Sequence, residues 1–155
     1  LAELERRKRA FTLITQNVDG LHDRAGSRNP LKLHGDIWWL RCSTCGRESQ
    51  DQRTPLLELP PRCGCGGLLR PGVGWFGEPL PAQTWMEAEL AARSAELFLV
   101  IGSSAVVYPA AGLIWLAKSA GAKVVEVNSE QTDVSGEVDR SLRGQSGELL
   151  PQLIS

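Results

Sequence analysis

Four cysteines in two tight pairs, Cys42-x2-Cys45 and Cys63-x-Cys65, constrain this chain more than any other feature. They bracket residues 42–69, a stretch of Gly, Pro and polar residues with little apolar periodicity. Such a stretch is dominated by turn chemistry and cannot bury a core of its own, so something else must hold it together. Thiolates are soft ligands, and four of them close a tetrahedral zinc shell with no position left for water. The expectation is therefore one structural Zn2+ on Cys42, Cys45, Cys63 and Cys65, whose binding folds the segment. Seventeen residues separate the pairs, and the second pair is one residue shorter than the usual C-x2-C. Four metal-free reduced thiols are the plain alternative, opposed by the glycines around both pairs. A redox pair is weakly supported outside a thioredoxin-like context. Close pairing also argues against a secreted disulfide framework.

The remainder has enough length for one domain with a real core and a small insert, in a chain of 155 residues. Residues 1–10 are expected to end an amphipathic helix whose basic cluster faces solvent. Residues 11–15 (FTLIT) suggest a strand, a short helix fits 21–25, and 37–41 (IWWLR) suggest a strand leading into Cys42. Residues 82–93 have helical spacing behind Pro81, and 97–101 (LFLVI) suggest a strand buried on both faces. Residues 109–120 suggest a helix with Pro at its start and Gly121 at its end, and 123–128 (KVVEVN) another strand. A short helix is expected over 147–153, weakened by Pro151. Strand–helix–strand order from 97 to 128 predicts a right-handed parallel crossover. The predicted fold class is α/β: a partial Rossmann-like, doubly wound parallel sheet over residues 1–40 and 70–155, with a small inserted four-cysteine zinc module at 41–69.

Net charge of −1 gives no global pull toward nucleic acid or an anionic membrane, so neither partner is expected. No apolar run reaches spanning length and the polar start has no signal-peptide core, so a cytoplasmic protein is the default. The chain begins with leucine and its single methionine is Met86, which suggests a fragment or processed product.

Polar groups gather just past the first strand: Thr15, Gln16, Asn17, Asp19, His22 and Asp23. Open α/β sheets bind ligands at such strand ends. Both histidines of the chain, His22 and His34, lie in this region. Short amides and a carboxylate suit reading an amide and a diol, but they also suit an N-cap and turn set, above all at Asp19. Gly72-Val-Gly74-Trp-Phe-Gly77 matches the letters of a dinucleotide fingerprint. Its flanks, Arg70-Pro71 and Glu78-Pro79, offer neither the strand before nor the helix after that a phosphate loop needs. An extended surface for a peptide, or simple core packing of Trp75 and Phe76, are equal alternatives.

Together, Thr15-Gln-Asn-Val-Asp-Gly-Leu-His22, Leu33-His34-Gly35, the cysteine pairs, Trp75-Phe-Gly-Glu78, Gly102-Ser-Ser104 with Tyr108-Pro-Ala-Ala111, and Val125-Glu-Val-Asn128 resemble the sirtuins, NAD-dependent protein-lysine deacylases, over residues 11 to 151. The wording around Trp75 and Tyr108 is most similar to the bacterial and mitochondrial desuccinylase-type branch. The resemblance implies NAD across the carboxyl ends of the parallel strands and an acylated lysine of a protein as substrate. The acyl oxygen attacks the ribose carbon bearing nicotinamide. His34 is then the general base that takes a proton from a ribose hydroxyl, a task suited to imidazole. That hydroxyl attacks the alkylimidate, and the products are deacylated lysine, nicotinamide and O-acyl-ADP-ribose. Asn17 is implied in catalysis, with Gln16, Val18 and Asp19 on the nicotinamide side of NAD. Gly102, Ser103, Ser104, Asn128, Ser129, Glu130 and Ser146 are implied on the adenosine side. Val73, Gly74, Trp75, Phe76, Gly77 and Glu78 match the strand that pairs with substrate peptide, and His22 is implied as a loop brace.

Two departures accompany the resemblance. The family's G-A-G-x-S loop, its downstream F-R and the tyrosine–arginine pair that reads acidic acyl groups are expected upstream of Leu1. This chain is therefore expected to be an N-terminally truncated form with little activity alone. Gly74 stands where the family has a β-branched residue, which weakens a pairing strand. The alternative is a non-catalytic zinc-stapled module that binds nucleotide or protein.

Overall fold

The structure is a computed structural model and describes residues 1–154. The chain divides into two compact units. Unit 1 comprises Leu1, Glu3–Thr12 and the chain from Trp85 onward; unit 2 comprises Ala2 and Leu13–Thr84.

Unit 1 holds α1 (Ala2–Arg7, but for Ala2), most of α3 (Ala82–Ser94), β6 (Leu97–Ile101), α4 (Gly112–Ser119), β7 (Lys123–Asn128), β8 (Arg140–Arg143) and α5 (Ser146–Ile154). Strands β6, β7 and β8 form a parallel sheet in that order, with Leu99 opposite Val125 and Val127 opposite Leu142. The β6–α4–β7 crossover is the expected parallel unit, and α4 packs on both its strands. Val100, Ala105, Ile114, Val124 and Val134 form the core, with Phe98 and Val138 against it. These are the β-branched and aromatic residues that suit strands packed under a helix.

Unit 2 contains β1 (Ile14–Thr15), α2 (Leu21–Arg24), β2 (Leu31–Lys32), β3 (Gly35–Cys42), β4 (Glu48–Gln50) and β5 (Leu69–Val73). Strands β1 and β2 are a short parallel pair. Strands β4–β3–β5 form an antiparallel sheet with β3 in the middle.

Several expectations are corrected in detail. The first strand covers only Ile14–Thr15, because β2 offers it only two partners. The 97–101 strand is not buried on both faces: Leu97 is 55% exposed and Val100 alone is fully buried, since β6 is the edge of its sheet. The 109–120 helix begins at Gly112. Gly112, Leu113 and Ile114 donate to Pro109, Ala110 and Ala111, so the preceding turn is wound more tightly than an α-helix. Strand β8 has no apolar run to announce it; its partner is the exposed edge of β7.

One buried charge anchors unit 1. Glu126, in mid-β7, is fully buried, and its carboxylate accepts bonds from Ser141 (2.5 Å), Ser135 (2.7 Å) and Thr132, and pairs with Arg143 (3.1 Å). Burial pushes its carboxyl up, but the Ser141, Thr132 and Ser135 hydroxyls and the Arg143 charge outweigh burial and hold it below the ordinary 4.5. A depressed value stabilises the fold fully above the ordinary range and loses that contribution as pH falls through the folded value. The thermal midpoint of unit 1 is therefore expected to hold from neutrality to about pH 5 and to fall below it. Glu126→Gln should cost roughly 2 kcal/mol at pH 7 and flatten the acid limb. Calorimetry across pH checks this; an unchanged acid limb in the variant contradicts it.

Candidate functional site

In unit 2, the polar loop 16–20 follows β1 and is fixed onto β3. The Ile37 N–H donates to the Val18 carbonyl (2.9 Å), and the Trp38 indole N–H to the Asp19 carbonyl (2.8 Å). Within the loop, Asn17 N–H donates to Thr15 Oγ1 (3.1 Å) and Leu21 N–H to Asp19 Oδ1 (2.9 Å). Asp19 therefore does perform the turn-capping role that its residue type allows. Gly20 adopts φ +71°, and a Cβ there would lie 2.8 Å from the Trp38 ring. Gln16 and Val18 are half-buried and Asn17 is exposed. Asp36 lies beneath, its carboxylate accepting Trp38 N–H (2.8 Å) and Lys32 Nζ (2.6 Å); Lys32 also reaches Asp23 (2.8 Å).

His34 is half-buried at the entrance to β3, after Leu33, which is 1% exposed. Its carbonyl accepts Gly74 N–H at 2.9 Å. Gly35 has φ +80°, and a Cβ there would sit 2.0 Å from the Gly72 carbonyl oxygen. Only glycine permits that approach, and it brings His34 beside the end of β5. His22 contributes a backbone carbonyl to Ser27 N–H (3.0 Å), closing the turn after α2.

The 73–78 segment differs from the extended surface expected. Val73 ends β5, and residues 75–78 form a turn. Glu78 accounts for it: its carboxylate accepts Trp75 N–H (3.2 Å) and binds Arg70 (2.9 Å), while its own N–H donates to the Trp75 carbonyl (2.9 Å). The Trp75 N–H, aided by Arg70, holds the Glu78 carboxyl below the usual range. Trp75 is 59% exposed and Phe76 wholly so, which removes the core-packing alternative for both. Gly74 and Gly77 flank this aromatic turn. Against expectation a strand, β5, does run through Arg70-Pro71 into Gly72, but no helix follows before α3, which a phosphate loop would need.

The cysteines converge as expected. Cys42 and Cys45 lie on the β3–β4 turn, where Cys42 N–H donates to Arg47 and Gly46 N–H returns to Cys42. Cys63 and Cys65 lie on a tight loop closed by an Arg62–Leu68 bridge. All four Sγ atoms lie within 4.8 Å of one another, with Cys42–Cys65 at 3.5 Å and Cys45–Cys63 at 3.8 Å. Zinc–sulfur bonds of about 2.3 Å place tetrahedral sulfurs about 3.8 Å apart, so the residues fit this metal. The shortened second pair closes because a Cβ on Gly67 would meet Thr44 Oγ1 at 2.5 Å and Cys42 Sγ at 2.9 Å, and glycine leaves that space open. Amides of Cys45 and Thr44 pull the Cys42 thiol down to about 6. Gly67 N–H favours the Cys65 thiolate, but the neighbouring cysteines together push that thiol up to about 11. Four thiolates this close need a cation between them.

In unit 1, β6 ends in the Gly102 turn (φ +60°) and β7 in Asn128. The structure brings these strand ends together. Gly102 N–H donates to the Val127 carbonyl (2.9 Å) and Asn128 Nδ2 to the Ser103 carbonyl (2.8 Å). Ser103 Oγ accepts Ala105 N–H (3.1 Å), and Asn128 Oδ1 accepts Glu130 N–H (3.3 Å). Ser104, Ser129 and Glu130 are exposed, and Ser146 begins α5 beyond β8. Exposed hydroxyls and an accepting carboxylate at the carboxyl ends of parallel strands form a polar set that fits a ribose diol.

The Sir2 family profile matches residues 1–109. The chain belongs to the Sir2 family. It is 54% identical over 136 residues, 87% of this chain and 57% of the relative, to an NAD-dependent protein deacylase of Aquifex aeolicus (strain VF5). It superposes on a crystal structure of a Sir2 homolog–NAD complex with TM-score 0.94 and 44% identity, covering 99% of this chain and 60% of the other. A Sir2–p53 peptide–NAD+ structure gives TM-score 0.90 at 33% identity, covering 99% and 65%. This Sir2-family chain spans 57% and 62% of the length of two curated relatives that it matches.

Trp38, Asp36 and Arg143 escaped the sequence reading. A tryptophan beside another in IWWLR signals only packing, whereas its indole N–H serves the loop 19 residues earlier. Trp38→Phe is expected to speed amide exchange at Gly20 and Leu21 about threefold to tenfold, the loss of one hydrogen bond. Unchanged exchange contradicts the bracing role. Elemental analysis should find one zinc per chain, and chelation should deprotect residues 42–69. Persistent protection of that segment without zinc contradicts a metal-folded module.

Proposed function

We propose that the protein removes acyl groups from lysine side chains of other proteins, consuming NAD and releasing nicotinamide and O-acyl-ADP-ribose. The observation that carries this is the fixed placement of His34. Its backbone is bonded to Gly74, one residue before the exposed aromatic turn, and the loop holding Gln16, Asn17 and Asp19 is pinned to the same strand, β3. The names of its relatives, and the NAD and peptide in the similar structures, support the same reading.

NAD supplies the ribose that receives the acyl group and the nicotinamide that leaves. The residues of this chain bind, orient and move a proton. His34 takes the proton from a ribose hydroxyl so that its oxygen becomes nucleophilic. Asn17 assists, and Gln16, Val18 and Asp19 hold the nicotinamide end. Gly102, Ser103, Ser104, Asn128, Ser129 and Glu130 hold the adenosine ribose and phosphates, with Ser146 beside the adenine. Val73 and Gly74 offer the peptide a strand edge, and Trp75, Phe76, Gly77 and Glu78 a rim. His22 stays a scaffold residue. The metal module over 41–69 is structural, and the residues proposed to contact NAD lie outside it, in both units. Reduced zinc thiolates suit a cytoplasmic protein.

In protein expressed from the complete reading frame, deacylation of an acyl-lysine peptide should require NAD, and nicotinamide release should require the acylated peptide. His34→Ala should lower kcat/KM by at least about 100-fold. Undiminished turnover in the variant contradicts the assignment of the base, and NAD-independent deacylation contradicts the reaction class.

A further inference from the structure

Glu126 is the one charge of unit 1 that is fully buried among the described residues, and the proposed chemistry leaves it without a task. A carboxylate in mid-strand is costly unless paired, so its partners identify what it organises. Those partners come from two places. Thr132 and Ser135 belong to the loop after β7, and Ser141 and Arg143 to β8.

Arg143 extends the chain of bonds outward. One nitrogen, Nη2, donates to Glu126 Oε2 (3.1 Å) and Ser135 Oγ (2.5 Å). The other, Nη1, donates to the backbone carbonyl of Glu130. A guanidinium can make these bonds together because its donors diverge in one rigid plane. The turn from Asn128 to Glu130 is thus gripped at both ends. Asn128 is fixed to the Ser103 carbonyl by its side chain, and its own carbonyl accepts Gly144 N–H (3.0 Å). Glu130 is fixed by Arg143. Ser129, between them, is exposed.

We infer that Glu126 and Arg143 are positioning residues, a buried latch that holds the Asn128–Glu130 turn in the shape that receives the adenosine ribose of NAD. The ligand clause rests on the nucleotide reading proposed above. Glu126 orients Arg143, Arg143 holds the Glu130 carbonyl, and the turn is ordered before ligand arrives. Pre-ordering lowers the entropy lost on binding, so the latch acts on cofactor affinity.

Arg143 lies near the surface, with its side chain 38% exposed, so Arg143→Met preserves bulk and should fold. Two measurements test the latch. In Arg143→Met, amide exchange over residues 129–135 should rise about tenfold while Val124–Val127 stays protected, and the Kd for ADP-ribose by calorimetry should weaken about tenfold. Arg143→Lys, which keeps the charge but not the fork, should recover only part of either effect. In protein from the complete reading frame, Arg143→Met should raise KM for NAD and leave kcat within about twofold, a split that general destabilisation does not produce. Unchanged exchange overturns the latch, and loosened exchange with an unchanged Kd overturns its role toward ligand. If the unsubstituted protein from the complete reading frame takes up no ADP-ribose, the nucleotide reading falls by itself, and exchange alone then decides the latch.

Discussion

The pairing of β3 with β5 is the constraint on which unit 2 depends. At one end, Cys42 lies opposite Leu69, next to the thiol cluster. At the other, Gly35 lies opposite Val73 so closely that no side chain fits, and His34 is bonded to Gly74. One strand of eight residues therefore connects the metal module to the proposed base. Strand β3 also carries the Gln16–Asp19 loop, through the Trp38 indole and the Ile37 backbone amide. A metal that orders residues 42–69 thereby fixes the register from which the proposed base and the proposed nicotinamide-side loop both project. This gives the closed thiolate shell a consequence for chemistry without a place in it.

Unit 1 follows a similar plan by other means. Its proposed ligand-side groups lie at the carboxyl ends of two parallel strands, where backbone donors and acceptors are left over. Those groups are tied by Asn128 to Ser103 and by Arg143 to Glu130. In place of a metal, a buried carboxylate gathers hydroxyls from a loop and a strand. Both units thus order polar turns through interactions made away from those turns.

The parts legible in the sequence were those with a strong local signal. KVVEVN has the apolar run of an internal strand, and it pairs on both edges. The cysteine pairs declared their convergence, and the polar cluster after residue 15 declared a loop. What stayed hidden depends on partners distant in the chain. RSLR at 140–143 is a strand because β7 offers it an edge. The 75–78 turn exists because Glu78 captures an amide and Arg70. Glu126 carried a hint: a carboxylate between valines in a strand demands partners, although the sequence does not say which. Exposure at Leu97 was equally unreadable, since a run of five apolar residues looks the same at an edge as in the middle of a sheet.

Transfer of an acyl group to the ribose of NAD, with His34 as base, is the step proposed for this protein. Mass spectrometry of the products formed by protein from the complete reading frame tests it most directly. Nicotinamide, deacylated peptide and O-acyl-ADP-ribose are expected in equal amounts. Release of the free carboxylic acid with NAD left intact would contradict it.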